Sequence, residues 1–177
     1  ENYFTLIPIY KDLVRAIKSK KIINKFYFLK DNISGESSIN KIKRVINFLN
    51  KDKSDCLFIT APENVAWLLN IRGRDNPHSP IPNCRVILKK NGEIYLFTNK
   101  SKIQNLLKKN NLLKIKLVDE NKIKIFLKKL NSKKIILDKL SCSLAYENII
   151  RNKINISNKS DPIYNLKSIK NNIEIKN

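Results

Sequence analysis

The chain's 177 residues suffice for one α/β domain with its own core, and a 42% hydrophobic content argues for a globular fold rather than disorder. No run of about 18 apolar residues occurs, which argues against a helical membrane span. The net charge of +21 raises a polyanion partner, but the lysines run through every predicted element, and heavy Lys, Asn and Ile with scarce Arg, Gly and Ala is the usage of an AT-rich genome.

In chain order, Phe26–Leu29 reads as a short apolar strand. Ser34, Ser37 or Ser38 offers an N-cap, and Ile39, Ile42, Val45, Ile46 and Leu49 recur at helical spacing to about Asn50. Cys56–Thr60 is a buried-type strand. Pro62 suits a first helical turn, Glu63 complements the helix dipole, and Val65, Ala66, Leu68 and Leu69 continue the helix to Asn70. An ordered, extended loop follows over Ile71–Pro82. Arg85–Lys89 and Glu93–Phe97 flank Asn91-Gly92, a strong hairpin signal. Ser101–Asn110 is an amphipathic helix and Lys114–Val118 a strand. Glu120–Leu130 is a helix with Ile123, Phe126, Leu127 and Leu130 on one face. Ile135–Asp138, Cys142–Arg151 and Ile154–Ile156 read as strand, helix and strand. Pro162 breaks the chain, Ile163–Lys176 is a terminal helix or linker, and the polar tail from Asn171 is expected to fray.

Strands alternating with helices predict an α/β fold with a largely parallel sheet and one antiparallel hairpin. Cys56, Cys84 and Cys142 are widely spaced, without a C-x-x-C pair, and read as buried, reduced thiols of a cytoplasmic protein. The chain begins without a basic-then-apolar leader and contains no methionine, so it reads as a piece of a longer polypeptide. With Gly35, Gly73 and Gly92 its only glycines, it cannot form a Gly-rich phosphate loop.

The stretch Asn64–Pro82, NVAWLLNIRGRDNPHSPIP, carries the chain's only histidine and only tryptophan. Its prolines fix φ and remove backbone donors, so Pro77–Pro82 is neither helix nor central strand. Trp67 is expected in the core. His78 has no second or third metal ligand at usable spacing, so a loop-ordering hydrogen bond is the favoured reading of the residue itself. Arg72 and Arg74 flank Gly73 and present forks suited to a carboxylate, with an internal bridge to Asp75 the favoured reading. Asp138 and Asp119-Glu120 pair with no histidine or second acid, so general acid–base work is unsupported.

The same stretch resembles the IAWLLNIRGSDIPHNP signature of the Xaa-Pro aminopeptidases, the aminopeptidase P branch of the creatinase/prolidase, pita-bread metallopeptidase family. Ser34-Gly35-Glu36-Ser37-Ser38-Ile39-Asn40-Lys41-Ile42 resembles that family's AGESSxxKI helix entry. Asp161-Pro162-Ile163, Leu166-Lys167-Ser168-Ile169-Lys170-Asn171 and Glu174 resemble its DPIxxLKAIKNxxE segment. The likeness runs from about Ser34 to the C-terminus, in pattern only over Leu106–Ser160. Near the start, Tyr10-Lys11-Asp12 sits where the family often has Trp-x-Asp-Arg-Pro, without the Arg-Pro.

The resemblance implies a three-layer α/β/α creatinase-type N-terminal domain with a mixed sheet. It implies a lead-in over residues 1–25, the non-catalytic domain over residues 26–160 and a connector toward a catalytic domain over residues 161–177. The implied parent removes the N-terminal residue preceding proline from peptides. Its pita-bread domain would hold two divalent metals, such as manganese, through acidic and histidine ligands that this chain does not supply; no metal or cofactor is expected here. The implied partners are that catalytic domain, the parent's peptide substrate and a second copy in a homodimer. No membrane and no specific nucleic acid are expected. On that reading, Arg72, Arg74, Asp75 and His78 form a substrate-access or interdomain loop. The alternative is a stand-alone basic binding module with weak nucleic-acid affinity, which has no need of the connector-like segment Asp161–Glu174.

Overall fold

The computed structural model of the chain describes residue 7 and residues 24–76, 78–109 and 114–176. The predicted lead-in lies outside the described residues except at 7, 24 and 25, and so does Pro77. The elements are β1 (Tyr27–Phe28), α1 (Asp31–Ser34), α2 (Ser38–Lys51), β2 (Cys56–Ile59), α3 (Pro62–Leu69), β3 (Ile71–Arg72), β4 (Arg85–Lys89), β5 (Ile94–Phe97), α4 (Lys100–Lys109) and β6 (Ile115–Val118). A 3-10 turn at Glu120–Lys122 leads into α5 (Ile123–Lys129), then β7 (Lys134–Leu137), α6 (Leu144–Arg151), β8 (Asn155–Ile156), α7 (Ile163–Ser168) and α8 (Asn172–Lys176).

Among the described residues the main sheet has six strands, in the order β6-β5-β4-β2-β7-β8. Only β4 is inverted. It pairs antiparallel with β2 and β5, while β5–β6, β2–β7 and β7–β8 run parallel. The inversion follows from the tight β4–β5 connection at Asn91-Gly92, where Gly92 takes φ +86 and its amide donates to Lys89 O at 2.9 Å. Side chains alternate across the sheet as the strand period requires. Leu57, Ile59, Val86, Leu88 and Ile136 join α2, α3, α4 and α7 in one core, through Val45, Leu49, Leu68, Ile103 and Ile163. Cys56, Phe58, Ile87, Ile135 and Leu137 join α5 and α6 in the other, through Leu127 and Ile150. The result is the three-layer α/β/α unit with a mixed, largely parallel sheet and one hairpin that the sequence predicts.

Ser37 is the N-cap of α2, its hydroxyl accepting from Asn40 N at 3.3 Å. Pro62 occupies the first turn of α3, where its missing N–H leaves no bond unmade. The three cysteines are buried thiols, and burial pushes Cys56 and Cys142 up to about 11.

Four expectations change. Ile71 and Arg72, expected in the extended loop, form β3, which pairs antiparallel with β1. Ile39, expected on the core face of α2, is 39% exposed, while Lys41 is 2% exposed. Ile163–Lys176, expected as a terminal helix or linker, forms two short helices with Ile169 extended between them. Asn171, expected to fray, is tied to α1: its side-chain amide donates to Ser34 O at 2.9 Å.

Candidate functional site

The three sequence segments singled out above meet at one end of α3. This helix ends at Asn70 in the left-handed region, φ +50, which asparagine tolerates better than most residues. The Asn70 side chain is fully used. Its oxygen accepts from Lys41 Nζ at 2.6 Å, and its amide donates to Ser34 Oγ at 3.1 Å and Glu36 O at 2.8 Å. Lys41 also donates to Trp67 O at 3.1 Å and stands 4.6 Å from the centre of the Trp67 ring. Burial pulls this ammonium down to about 8, against the carboxylates of Glu36, Glu174 and Asp31, which favour its charge. Trp67 is core, as expected.

The C-terminal segment closes the same cluster. Asn171 caps α8, its side-chain oxygen accepting from the amides of Ile173 and Glu174, and Glu174 accepts from Asn171 N at 3.1 Å. This reciprocal pair is a capping box. The segment begins equally well anchored. Asp161 is buried, accepting from Ile163 N and from the Asn64 amide at 2.9 Å each, and Lys167 donates to the Asn64 oxygen.

From this junction the proline loop runs out to solvent. Arg72 is half-buried and donates to Ala66 O at 3.0 Å and Ile71 O at 2.9 Å, so it secures the end of α3. Gly73 packs against Pro82 and Phe26, where an added Cβ would meet Pro82 Cα at 2.9 Å. Its amide donates to Pro80 O at 3.0 Å. Arg74 is exposed, and its carbonyl accepts from the Asn24 side chain. His78 is exposed, with its backbone amide donating to Asn76 Oδ1 at 3.3 Å.

The expected bridge from Arg72 or Arg74 to Asp75 is not formed. Asp75 instead binds Lys102 Nζ at 2.6 Å and accepts from Asn83 N at 2.7 Å. Both charged side chains are mostly shielded, at 15% and 12% exposure, so α4 anchors the loop. Arg72 Nη1 is given to Ala66 O in α3 and to Ile71 O in β3 rather than to Asp75. The loop therefore presents Arg74 and His78 outward, on a frame fixed by Arg72, Gly73 and Asp75.

A second polar cluster sits at the carboxyl ends of β2 and β7. Asp138 is buried, with one oxygen accepting from Leu140 N at 3.1 Å and the other without a hydrogen-bond partner among the described residues. Thr60 and Ser141 share a hydroxyl contact of 2.6 Å. Burial, with Asp138 nearby, raises Asp161 to about 6. Tyr164 is pushed up to about 12 by burial and by Asp138. Among the described residues, no three His, Cys, Asp or Glu side chains converge on a metal-binding geometry. No helix among them is long and apolar enough to cross a membrane.

Lys41, Asn70 and Asn171 were not singled out from the sequence by role, and Ser34 was read only as a candidate N-cap, a place that Ser37 takes. Asn171 carried a signal, an Asn three residues before Glu174. Lys41 carried none, since a lysine beside an apolar helical face normally keeps its head in water.

Residues 18–174 match the family profile described as the Creatinase/Prolidase N-terminal domain. Over 85 residues the chain is 31% identical to Xaa-Pro aminopeptidase 1 of Dictyostelium discoideum, covering 48% of this chain and 13% of that protein. Over 104 residues it is 28% identical to a protein of Coprinopsis cinerea named Probable Xaa-Pro aminopeptidase P, covering 56% and 17%. The matched region is thus less than a fifth of the length of either relative. In structure the chain is similar to an X-prolyl aminopeptidase of Caenorhabditis elegans described as a cytosolic enzyme with a di-nuclear active site. That likeness has a TM-score of 0.78 at 20% identity, over 96% of this chain and 29% of the other. A Xaa-Pro dipeptidase from Bacillus anthracis gives 0.59 at 16% identity, over 79% and 38%. At such identities the structural likeness is one of fold.

Proposed function

The chain belongs to the creatinase/prolidase N-terminal domain family, and on that premise we propose that it is the non-catalytic domain of a cytoplasmic, metal-dependent Xaa-Pro aminopeptidase. The parent removes the N-terminal residue preceding proline. Two divalent metals, such as manganese, belong to its catalytic domain. This domain's work is packing against that catalytic domain, restricting access to short peptides and supporting a homodimer. The names of the sequence relatives support the activity, and the described cytosolic setting of the nematode protein supports the location.

The observation that carries the assignment of the loop is its construction. Arg72, Gly73 and Asp75 are consumed in holding the frame, while Arg74 and His78 are left facing solvent. A plain connection between β3 and β4 needs no such frame, and polar groups on a stiff loop are the usual material of a recognition surface.

The experiment uses the longest reading frame that contains these residues. His78→Ala and Arg74→Ala should lower kcat/KM on an Xaa-Pro peptide while the melting temperature holds. Unchanged kcat/KM in both variants would remove the loop from substrate access. The 177-residue chain alone should release no amino acid from such a peptide with added manganese; release would overturn the non-catalytic reading.

A further inference from the structure

α8 has only five residues, far below the length at which a helix holds in water by itself. Its position depends on the seat beneath Asn171. Gly35 has φ +74, and a Cβ added there would come within 2.1 Å of Asn171 Oδ1. Glycine is therefore required twice, for the backbone turn and for the approach of the asparagine. Asn171 donates to Ser34 O at 2.9 Å and also caps α8.

Ser34 has a second task. Its hydroxyl accepts from the Asn70 amide at 3.1 Å and donates to Glu36 O at 3.1 Å. Asn70 in turn ends α3, holds Lys41 and begins the segment that leads into the proline loop. The carbonyl of one residue thus holds the C-terminal helix, and its side chain holds the root of the loop. Glu174 on α8 places its charge where both Lys41 and Arg72 feel it.

We propose that Gly35, Ser34 and Asn171 form a latch that couples the docking of α8 to the root of the proline loop. α8 docks and leaves as a unit. When it leaves, Ser34 loses the bond that fixes its carbonyl, Asn70 loses a fixed partner, and Arg72 loses the nearby carboxylate of Glu174. Any force or partner acting on the C-terminal segment is then felt at the loop, more than 90 residues away in sequence. This coupling is internal to the chain and stands whether or not the parent is an aminopeptidase.

Amide hydrogen exchange on the 177-residue chain tests it. Glu174 and Ile175 report α8, since their amides bond to Asn171. Gly73 and Leu29 report the loop root, through bonds to Pro80 O and Asn70 O. Phe58 and Ile87 in β2 and β4 report the core. Asn171→Ala should speed exchange about tenfold at Glu174 and Ile175, and several-fold at Gly73 and Leu29, with Phe58 and Ile87 unchanged. Reciprocity requires that Ser34→Ala, which deletes only the hydroxyl, also speeds Ile175. Gly35→Ala should act like Asn171→Ala. If it unfolds the chain, the two milder variants still decide. Asn172→Ala, at an exposed position beside the seat, should change none of these. Acceleration confined to α8 in Asn171→Ala, or an unmoved Ile175 in Ser34→Ala, would refute the coupling. Unchanged α8 amides in Asn171→Ala would refute the latch itself.

Discussion

The ammonium of Lys41 lies 2.6 Å from the side-chain oxygen of Asn70, and it is the most buried cation of the structure that has no carboxylate in hydrogen-bond contact among the described residues. Its partners are a neutral amide, a carbonyl and an aromatic face, none of which fully replaces water around a charge.

The folded pKa of Lys41 is about 8, below the value near 10.4 of an unfolded lysine. Between these values the unfolded chain holds a proton that the folded chain lacks, so this group's contribution to stability rises with pH. Urea unfolding from pH 8 to about 10.5 should show a gain on the order of 2–3 kcal/mol in the natural chain relative to Lys41→Met. Parallel curves for the two proteins would mean that Lys41 titrates as a solvated lysine.

Gly73→Ala should destabilise the chain by about 1–3 kcal/mol, because the new methyl group meets backbone at Pro82 and the Phe26 ring together. A midpoint shift in urea at unchanged slope would register it. A loss below about 0.5 kcal/mol would mean that the loop swings away freely.

Asp75→Ala should cost about 1–3 kcal/mol, since it strands Lys102 and the amide of Asn83. Arg74→Ala should stay within about 0.5 kcal/mol. Lys102→Ala in the Asp75→Ala background should then add little, and a double-mutant cycle measures the shared part.

Asp161 titrates near 6, above its unfolded value of 3.8. Between these values the folded chain holds the extra proton, so this group's stabilising contribution is complete below about pH 4 and is lost as pH rises through 6. Asp55, held down to about 2 by Lys90 and two backbone amides, works in the opposite sense at lower pH. The difference in melting temperature between the natural chain and Asp161→Asn should therefore change between pH 4 and 7. A constant difference would place Asp161 in water.

Polyanion binding should be weak and follow salt alone. Affinity for a mixed-sequence duplex should collapse between about 50 and 200 mM salt, the signature of counterion release. A sequence preference that survives the higher salt would favour the stand-alone basic module.

The strands of the main sheet and the hairpin were legible because they rest on local signals: apolar runs such as Cys56–Ile59, and Asn91-Gly92 at a turn that needs positive φ; β3, two residues read as loop, was not. The burial of Trp67 was legible for the same reason. What escaped is what depends on distant partners. Asp75 lies one residue from Arg74, yet its cation is Lys102, brought up by α4 packing beside β1. α1 is too short to show a period, and the break at Ile169 interrupts what reads as a helical pattern. Lys41 is buried because Asn70, Trp67 and α3 close over it, a fact no window around residue 41 contains.

Among the described residues, the main sheet is bounded by β6 and β8. β8 is two residues long and presents too short a template for strand addition. β6 carries Lys116, tied to Glu93 across the neighbouring β5 and lying over the Tyr95 ring, so an incoming strand would have to run beside a fixed charge. A short edge strand and a charged residue on an edge strand are both features that disfavour edge-to-edge pairing of copies.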